Sequence, residues 1–317
     1  EAINENATKS NKEIDNLSLG NTINFNKTFS KKLRNLSFVY SNSYSSVDSE
    51  GLTLSKTIFF QNNRPTIDRN QNILNNNKSN SNSADIEFIE PITDSLRVRI
   101  GVDLDWVNEI SELKTYDFDA SSQSYNDLND LQSNYTNSSR NSVRPKLGLT
   151  YEKNKYTFNF NSSTSIIDYD NHSLYLNKDT DLNQKHMLPY INAQIRYRFT
   201  RSKYFTLKYD YDNTLPTPVQ LIPVANLSNP LATFIGNPNL NPNGTHTSSI
   251  SFNNYNFRKR TGYNLYLKTN YFKNEIVSTS IYDANGKRTS SFINIDDTHS
   301  SSIGGSWNQN IKKEAHV

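Results

Sequence analysis

One stretch, "LRVRIGVDLDW" at residues 96–106, constrains the fold more than any other, because every even position in it is apolar. A period of two residues predicts a β-strand, since successive side chains of a strand point to opposite faces. A helix would spread these apolar side chains around its whole circumference. The predicted apolar face consists of Leu96, Val98, Ile100, Val102, Leu104 and Trp106.

The length of this strand favours a position across a membrane. Eleven residues at about 3.3 Å each extend roughly 36 Å, whereas a globular strand typically has about 5–6 residues. Tilted by about 45°, the strand spans roughly 25 Å, which is the height of the apolar band on an outer-membrane barrel. A long strand of a soluble β-sandwich shows the same alternation, so this stretch by itself leaves both folds open.

The same alternation recurs along the chain. The clearest later cases are Ile191–Phe199 and Phe205–Tyr211, which are joined by the short polar turn "TRSK" at 200–203. Weaker cases lie near residues 17–25, 36–40, 52–60, 147–151, 156–160, 263–271 and 303–307. We therefore predict about a dozen antiparallel strands.

The composition is compatible with a membrane barrel and excludes several other classes. The chain is only 34% hydrophobic and has no run of about 18 apolar residues of the kind that forms a membrane helix. Barrel strands are half polar, so their mean hydropathy resembles that of soluble proteins. The absence of cysteine excludes disulfides and thiol catalysis. The 34 basic and 31 acidic residues are well mixed, which argues against nucleic acid as a partner.

The connections between the predicted strands fall into two classes of length. Residues 152–155 and 200–203 are short turns, whereas the polar stretches 61–83 and 117–142 read as long loops. Outer-membrane barrels have short periplasmic turns and long outer loops, and a soluble sandwich has no reason to separate the two. This contrast favours the barrel.

In a barrel, the alternate residues of each strand, at even or at odd positions, face either the lipid or the enclosed interior. The apolar parity, including the six residues of 96–106, is predicted to face lipid, and Trp106, Tyr151, Tyr211 and Tyr271 are predicted to lie in aromatic girdles. Arginine in place of Val102 is then expected to be costly, and arginine in place of Asp103 mild. The predicted charges of the enclosed interior are Arg97, Arg99, Asp103, Asp105, Arg196, Arg198, Lys208 and Asp210.

Residues 216–242 are predicted not to form barrel strands, because they contain six of the ten prolines of the chain. Proline has no backbone N–H and cannot donate to a sheet ladder. The segment is either a rigid loop of defined structure or an ordinary surface connection rich in proline and asparagine.

This segment resembles the signature of the barrel domain of TonB-dependent receptors, and it is most similar to the "outer membrane protein beta-barrel" family that is common in Bacteroidota. A weaker resemblance covers residues 89–106, where a proline-led turn enters a long strand. Where the family usually has Glu after the last Pro, this chain has Asn243, so a role of that Glu is not carried over. The residues that match are Pro216, Gln220, Leu221, Pro223, Asn229, Pro230, Gly236, Asn237, Pro238, Leu240 and Pro242.

The resemblance implies an all-β, transmembrane antiparallel β-barrel in which residues 1–317 supply about a dozen strands of a larger barrel. Relatives carry a plug and often a regulatory-like domain upstream, so we expect this chain to be an internal piece of a longer protein. The implied function is import of a nutrient ligand across the bacterial outer membrane, energised by a TonB-type partner through the plug. The implied partners are lipid, lipopolysaccharide and a surface lipoprotein.

Two other functions remain open at this stage. A receptor-like barrel of the same fold could serve as a structural or assembly subunit of an outer-membrane complex without transport. A soluble, secreted β-sandwich or adhesin that binds sugars is the third reading.

No enzymatic chemistry is predicted from the sequence. The five histidines are not paired at metal-ligand spacing, and neither a phosphate-binding loop nor a nucleophile elbow is present. We therefore expect no catalytic site and no cofactor. Calcium in an outer loop is one reading of the acidic stretch 117–130, and a solvated loop is the other. The carboxylates of that stretch are Asp117, Asp119, Asp127 and Asp130.

Overall fold

The computed structural model describes residues 3–60, 65–221, 226–229, 231–284 and 286–309. Almost all of them lie in β-strands, and the one described helix, α1, covers Pro218–Leu221. Among the described residues, no helix has the length and apolar content to cross a membrane. The strands are β1 (Asn4–Thr28), β2 (Asn35–Phe59), β3 (Ile67–Pro91), β4 (Leu96–Asp119), β5 (Ser124–Leu128), β6 (Asn134–Lys153), β7 (Tyr156–Tyr175), β8 (Lys178–Thr200), β9 (Lys203–Thr214), β10 (Asn226–Asn229), β11 (Ala232–Phe234), β12 (Asn243–Asn256), β13 (Thr261–Lys273), β14 (Glu275–Tyr282), β15 (Arg288–Ile295) and β16 (Thr298–Gln309).

Twelve of these strands form one large antiparallel sheet, which confirms the predicted number and class. Its order is β1-β2-β3-β4-β6-β7-β8-β9-β12-β13-β16, and β5 pairs with the end of β4. β1 and β16 are the two edges of this sheet. The remaining strands, β10, β11, β15 and β14, form a smaller sheet in which β11 and β15 are parallel.

The connections lie at two edges of the large sheet. At the first, which we call the turn edge, the links are short: residues 29–34, 92–95, 154–155, 201–202 and 257–260. The opposite edge, which we call the loop edge, carries the long links 215–242 and 274–297, and the smaller sheet is built from these two. Short and long links are therefore both present, but the long ones are not the predicted 61–83 and 117–142.

Two predicted loops are largely strand. Most of 61–83 belongs to β3, and 117–142 contains the end of β4, β5 and the beginning of β6. In the same way, the separate segments 36–40 and 52–60 are joined in the single strand β2. At the loop edge, β7 and β8 are connected by only Leu176 and Asn177, both with positive φ, as a tight type I′ hairpin turn requires. The long strands pair with each other well beyond the apolar stretches.

Register shifts in the large sheet lie at Arg198/Thr200 and Asp117/Phe118, and away from these positions a face can be followed from strand to strand. Residues directly opposite each other in a ladder lie on the same face. One row across eight strands is apolar throughout: Leu96, Tyr151, Phe158, Ile195, Leu207, Ile250, Leu267 and Ile303. The adjacent row is polar throughout: Arg97, Thr150, Asn159, Gln194, Lys208, Ser249, Lys268 and Ser302. The sheet thus has an apolar face and a polar face.

Candidate functional site

The apolar face is the exposed one. Ile100 is 59% exposed and Trp106 44%, whereas Asp103, on the other face of the same strand, is only 7% exposed. In a water-soluble domain burial removes apolar side chains from water, so this distribution is the reverse of a globular core. The six residues predicted to face lipid all lie on this apolar face.

The apolar face ends at a definite height. On β7 its positions run from Phe158 and Phe160 to Ile166, and then change to Asp168 and Asp170. The neighbouring strand β8 shows the same change, from Met187 to Lys185. The apolar residues therefore form a band of limited height, beyond which the same face of the sheet is charged.

Aromatic side chains border this band. At the turn edge, Tyr156 and Tyr197 lie in contact with a centroid separation of 4.9 Å, and Tyr151 belongs to the same level. Toward the loop edge, the ring of His246 stacks on Tyr211 at 4.3 Å and lies 5.8 Å from Tyr271. The rings of Trp106, Tyr211 and Tyr271 all lie on the apolar face, well along their strands from the turn edge.

The polar face carries a compact cluster of four charges within the height of the band. Asp103 of β4 contacts Arg144 at 2.6 Å and Lys146 at 2.5 Å, both on β6. Lys146 also pairs with Asp85 of β3. Because Asp103 is almost fully buried, these cations compensate a carboxylate that water reaches poorly.

A second polar chain runs along the polar face from β3 to β9, with side chains from five of the six strands in this part of the sheet. Arg99 pairs with Glu87 at 3.2 Å and donates to Asn161 at 3.2 Å. Asn161 donates to Asn192 at 3.2 Å, and Asn192 donates to Asp210. Each side chain thus provides a hydrogen-bond or ion-pair partner for the next one and fixes its orientation.

The other predicted interior charges also have partners on the polar face. Arg97 and Arg198 both pair with Glu152, at 3.8 and 3.3 Å, and Lys208 pairs with Asp210 at 2.9 Å. Asp105 accepts a hydrogen bond from Ser142, and Arg196 donates to Thr206 while lying over the ring of Tyr204. The partners of these charges lie on neighbouring strands and could not be predicted from the sequence, because the pairing register is not visible in a single strand. These partners are Asp85, Glu87, Arg144, Lys146, Glu152, Asn161 and Asn192.

The segment predicted to resemble the family signature packs against the polar face. Thr217 and Gln220 form a reciprocal capping pair at the start of α1: the N–H of Thr217 donates to Oε1 of Gln220, and the N–H of Gln220 donates to the carbonyl of Thr217. This turn buries Leu221, which is 2% exposed, against Leu240 and Tyr169 of β7. Thr217 and Gln220 therefore build a turn that anchors the apolar side chain of Leu221.

The later part of the signature is joined to the hairpin β14–β15. Nδ2 of Asn237 donates to the carbonyl of Phe292 at 2.9 Å, and the rings of Phe234 and Phe292 meet edge to face at 5.0 Å. Asn294 accepts from the N–H of Asn241 at 2.8 Å and donates to the carbonyls of Asn241 and Asn274. These contacts join the described residues 231–242 of the segment to the hairpin.

The remaining signature residues have smaller roles or cannot be placed. Pro216 and Gly236 are buried, the carbonyl of Pro238 accepts from Gln184, and Oδ1 of Asn229 accepts from the N–H of Leu231. Pro242 is partly buried just before β12. Pro223 and Pro230 lie outside the described residues.

A cavity of about 520 Å³ lies between the signature segment and the polar face. Pro216 and Leu221 form its roof, and Arg140, Tyr169 and His186 line its floor. Its lining mixes apolar and aromatic residues with polar ones, and it includes the charged residues Glu109, Arg140, Arg144 and Asp212.

Two carboxylates of the acidic stretch at the loop edge, those of Asp117 and Asp119, accept hydrogen bonds within the protein. Asp117 accepts from the amides of Gln71 and Asn129, each at 2.7 Å. Ser121 and Ser122 donate to Asp119 and lower its pKa to about 2. The described residues contain no group of three or more carboxylate, imidazole or thiol ligands, and calcium binding stays a prediction.

Near the β7–β8 turn, His172 lies between two acids. Its ring contacts Asp181 at 2.8 Å and Asp179 at 3.3 Å, and the hydrogen bond to Asp181 raises the pKa of His172. This site is exposed and belongs to the charged surface beyond the band.

Two solved structures share the fold. The hemophore receptor HasR of Serratia marcescens, solved with its hemophore HasA and heme, matches 96% of this chain at 9% identity with a TM-score of 0.55, over 51% of the receptor chain. The ferric citrate transporter FecA matches 86% of this chain at 12% identity with a TM-score of 0.50, over 38% of its own chain. This chain thus spans about half of such proteins or less. A search of curated protein sequences finds no match.

The model of the family described as "Outer membrane protein beta-barrel family" matches residues 27–317, which is most of the chain. The match includes all eleven signature residues in 216–242, so the predicted family resemblance is confirmed. The band of exposed apolar side chains then corresponds to the bacterial outer membrane. The chain belongs to the outer membrane protein beta-barrel family.

Proposed function

We propose that this chain forms part of the barrel wall of an outer-membrane receptor, which imports a nutrient ligand with energy from a TonB-type partner. The observation that carries the proposal is the pair of adjacent rows, one apolar and one polar, across eight strands. Such a wall has one face for lipid and one for an enclosed aqueous space. The fold shared with a receptor and a transporter supports the same function.

The apolar band also requires that the two edges of the large sheet be paired. The edges β1 and β16 offer backbone groups that must be paired in hydrocarbon, because no water is available there. We therefore propose that the large sheet is completed by additional strands into a closed barrel, which a plug would fill. The paired charges around Asp103 would then face that plug or the water around it.

The test uses the full-length gene product in its own host. Uptake of nutrients from a defined panel is compared among the parent strain, a strain lacking the gene, and a strain lacking the TonB-type energiser. We expect one nutrient to be lost in both mutant strains and restored by the intact gene. Unchanged uptake in the strain without the gene would contradict import.

The second candidate is a structural subunit of an outer-membrane complex. It is favoured by the charged surface of β2, β4 and β7, which lies beyond the apolar band on the same face of the sheet. This surface is large enough to contact another envelope protein. This candidate predicts that deletion of the gene removes other proteins from a purified complex while uptake is unchanged.

A further inference from the structure

The turn edge of the large sheet is strongly basic. Its five short links contain eight lysine and arginine residues and a single acidic residue, Asp94. The connections at the loop edge contain three basic and five acidic residues in total. The two edges therefore carry opposite net charges. The loop-edge connections in this comparison are 60–66, 120–123, 129–133, 176–177, 215–242 and 274–297.

Two acidic side chains neutralise part of the charge at the turn edge. Glu152 pairs with two arginines on the polar face, as described above. Glu90 pairs with Lys31 at 2.6 Å and with Arg34 at 2.7 Å. The other cations of the links make no side-chain hydrogen bond or ion pair with the residues that the structure describes. They are Lys32, Lys155, Arg201, Arg258, Lys259 and Arg260, and all six are exposed.

Three further lysines continue the apolar face at the turn edge. Lys27 lies at the end of β1, Lys153 at the end of β6 and Lys203 at the beginning of β9. Lys27 lies opposite Leu36 and Lys153 opposite Tyr156, so these side chains are on the side of the sheet that faces lipid. None of the three forms an ion pair with another described residue.

The contacts of these lysines place their charges at the border of the apolar band. Nζ of Lys203 lies 5.2 Å from the ring centre of Phe199 and 5.8 Å from that of Phe252. Nζ of Lys27 lies 5.3 Å from the ring centre of Phe29. A lysine in such a position packs its methylene stem on apolar surface and holds its ammonium group in the polar headgroup layer. Lipid phosphates lie in that layer.

We propose that the turn edge binds anionic phospholipids, of which phosphatidylglycerol is the simplest example, in the membrane leaflet at that edge. Anionic lipids attract lysine and arginine near the membrane surface, and their phosphates supply the counter-charges that the described part of the turn edge lacks. The lysines on the lipid side of the border favour lipid over a soluble acidic protein as the partner. This inference depends on the position in the outer membrane and not on import.

Trp307 provides a native probe for lipids at this edge. It is 68% exposed and lies in one row of the ladder with Lys203, Asn254 and Tyr263. The full-length protein is reconstituted into vesicles in which either phosphatidylglycerol or phosphatidylcholine carries brominated acyl chains. The quenching of Trp307 is the difference between each protein and its Trp307→Phe counterpart. It reports which lipid lies next to the turn edge.

The test variant combines Lys203→Gln with Arg258→Gln and Lys259→Gln, because these cations lie near Trp307. The double variant Arg258→Gln with Lys259→Gln changes only exposed side chains, and it serves as the test where the triple variant folds poorly. The matched control removes the same number of cations from the apolar face on the loop-edge side of the band. It combines Lys9→Gln, Lys56→Gln and Lys185→Gln.

We expect the parent protein and the control to favour phosphatidylglycerol around Trp307 by about fivefold, and the test triple to show a preference of less than about twofold. The preference of the parent should also fall in about 1 M salt, where charges are screened beyond about 3 Å. Equal quenching by the two lipids in the parent protein would overturn the proposal. The same loss in the control as in the test variant would overturn it too, because the preference would then reflect net charge alone.

Discussion

Asp103 of β4 and Lys146 of β6 lie 2.5 Å apart, on the face of the sheet opposite Val102. Arg144 reaches the other oxygen of Asp103 at 2.6 Å. This arrangement changes the expectation for Asp103→Arg, which would place three cations together and is no longer expected to be mild. Asp103 lies on the polar face, and each of its two carboxylate oxygens contacts a cation of β6.

We predict that Asp103→Asn destabilises the barrel by about 3 kcal/mol, because it leaves Arg144 and Lys146 without their shared carboxylate. Adding Arg144→Met should recover part of this loss, because the described ion pair of Arg144 is with Asp103 alone, whereas Lys146 keeps Asp85. The measurement is the urea dependence of unfolding in detergent micelles. A double variant as unstable as the sum of the two single variants would show that Asp103 and Arg144 are not coupled.

Arginine at Val102 should cost about 2–4 kcal/mol, because it inserts a charge into the lipid-facing band. Asn159→Arg is the matched control, since it adds the same side chain to the polar face at a position with no described side-chain hydrogen bond. Heat-modifiable mobility on gels reports the folded fraction of each variant. Equal losses at the two positions would contradict the assignment of the faces.

The two tryptophans test the height of the band directly. Trp106 lies toward its loop edge and Trp307 toward its turn edge, both on the apolar face. In vesicles of brominated lipids, bromines near the headgroups should quench the fluorescence of each tryptophan more strongly than bromines at the ends of the acyl chains, because these indole rings lie at the membrane interface. Trp307→Phe isolates the first signal and Trp106→Phe the second. Stronger quenching from the acyl ends would refute the girdle.

Asn294→Ala should loosen the signature segment without unfolding the large sheet. The change removes three hydrogen bonds that join β15 to the carbonyls of Asn241 and Asn274 and to the N–H of Asn241, at a cost of about 1–3 kcal/mol. Hydrogen exchange should become faster in 231–242 and stay unchanged in β7. Asn239→Ala, at an exposed residue of the same segment, is the control. Similar hydrogen exchange in both variants would contradict the role of Asn294 in holding the segment to β15.

The pair of His172 and Asp181 should make the β7–β8 turn sensitive to pH. The raised pKa means that folding favours the protonated ring, so its contribution is complete below the ordinary histidine value of about 6.5 and is lost as the pH rises through the raised value. His172→Gln should therefore speed hydrogen exchange at 176–177 at about pH 5.5 and leave it unchanged at about pH 9. His299→Gln is the control. The same effect at both values of pH would contradict the ion pair.

The sequence by itself determined the part of the fold that lies in the band. There, one face of each strand must be apolar and the other polar. The alternation of 96–106 therefore predicts both the strand and the face on which each of its residues lies. The prolines and asparagines of 216–242 likewise predicted a segment outside the strand pattern, because proline cannot join a ladder.

Only the tertiary structure decided what lies beyond the band. In 67–83 and 134–142 both faces are polar, so the period of two disappears from the sequence and the stretches resemble loops; they are strands because neighbouring long strands pair with them. Register also decided which charges meet, such as Asp103 with Arg144 and Lys146, since a shift of one residue would exchange the faces. The position of the signature segment over the polar face depends in the same way on the packing of Leu221 against Tyr169, two residues far apart in the chain.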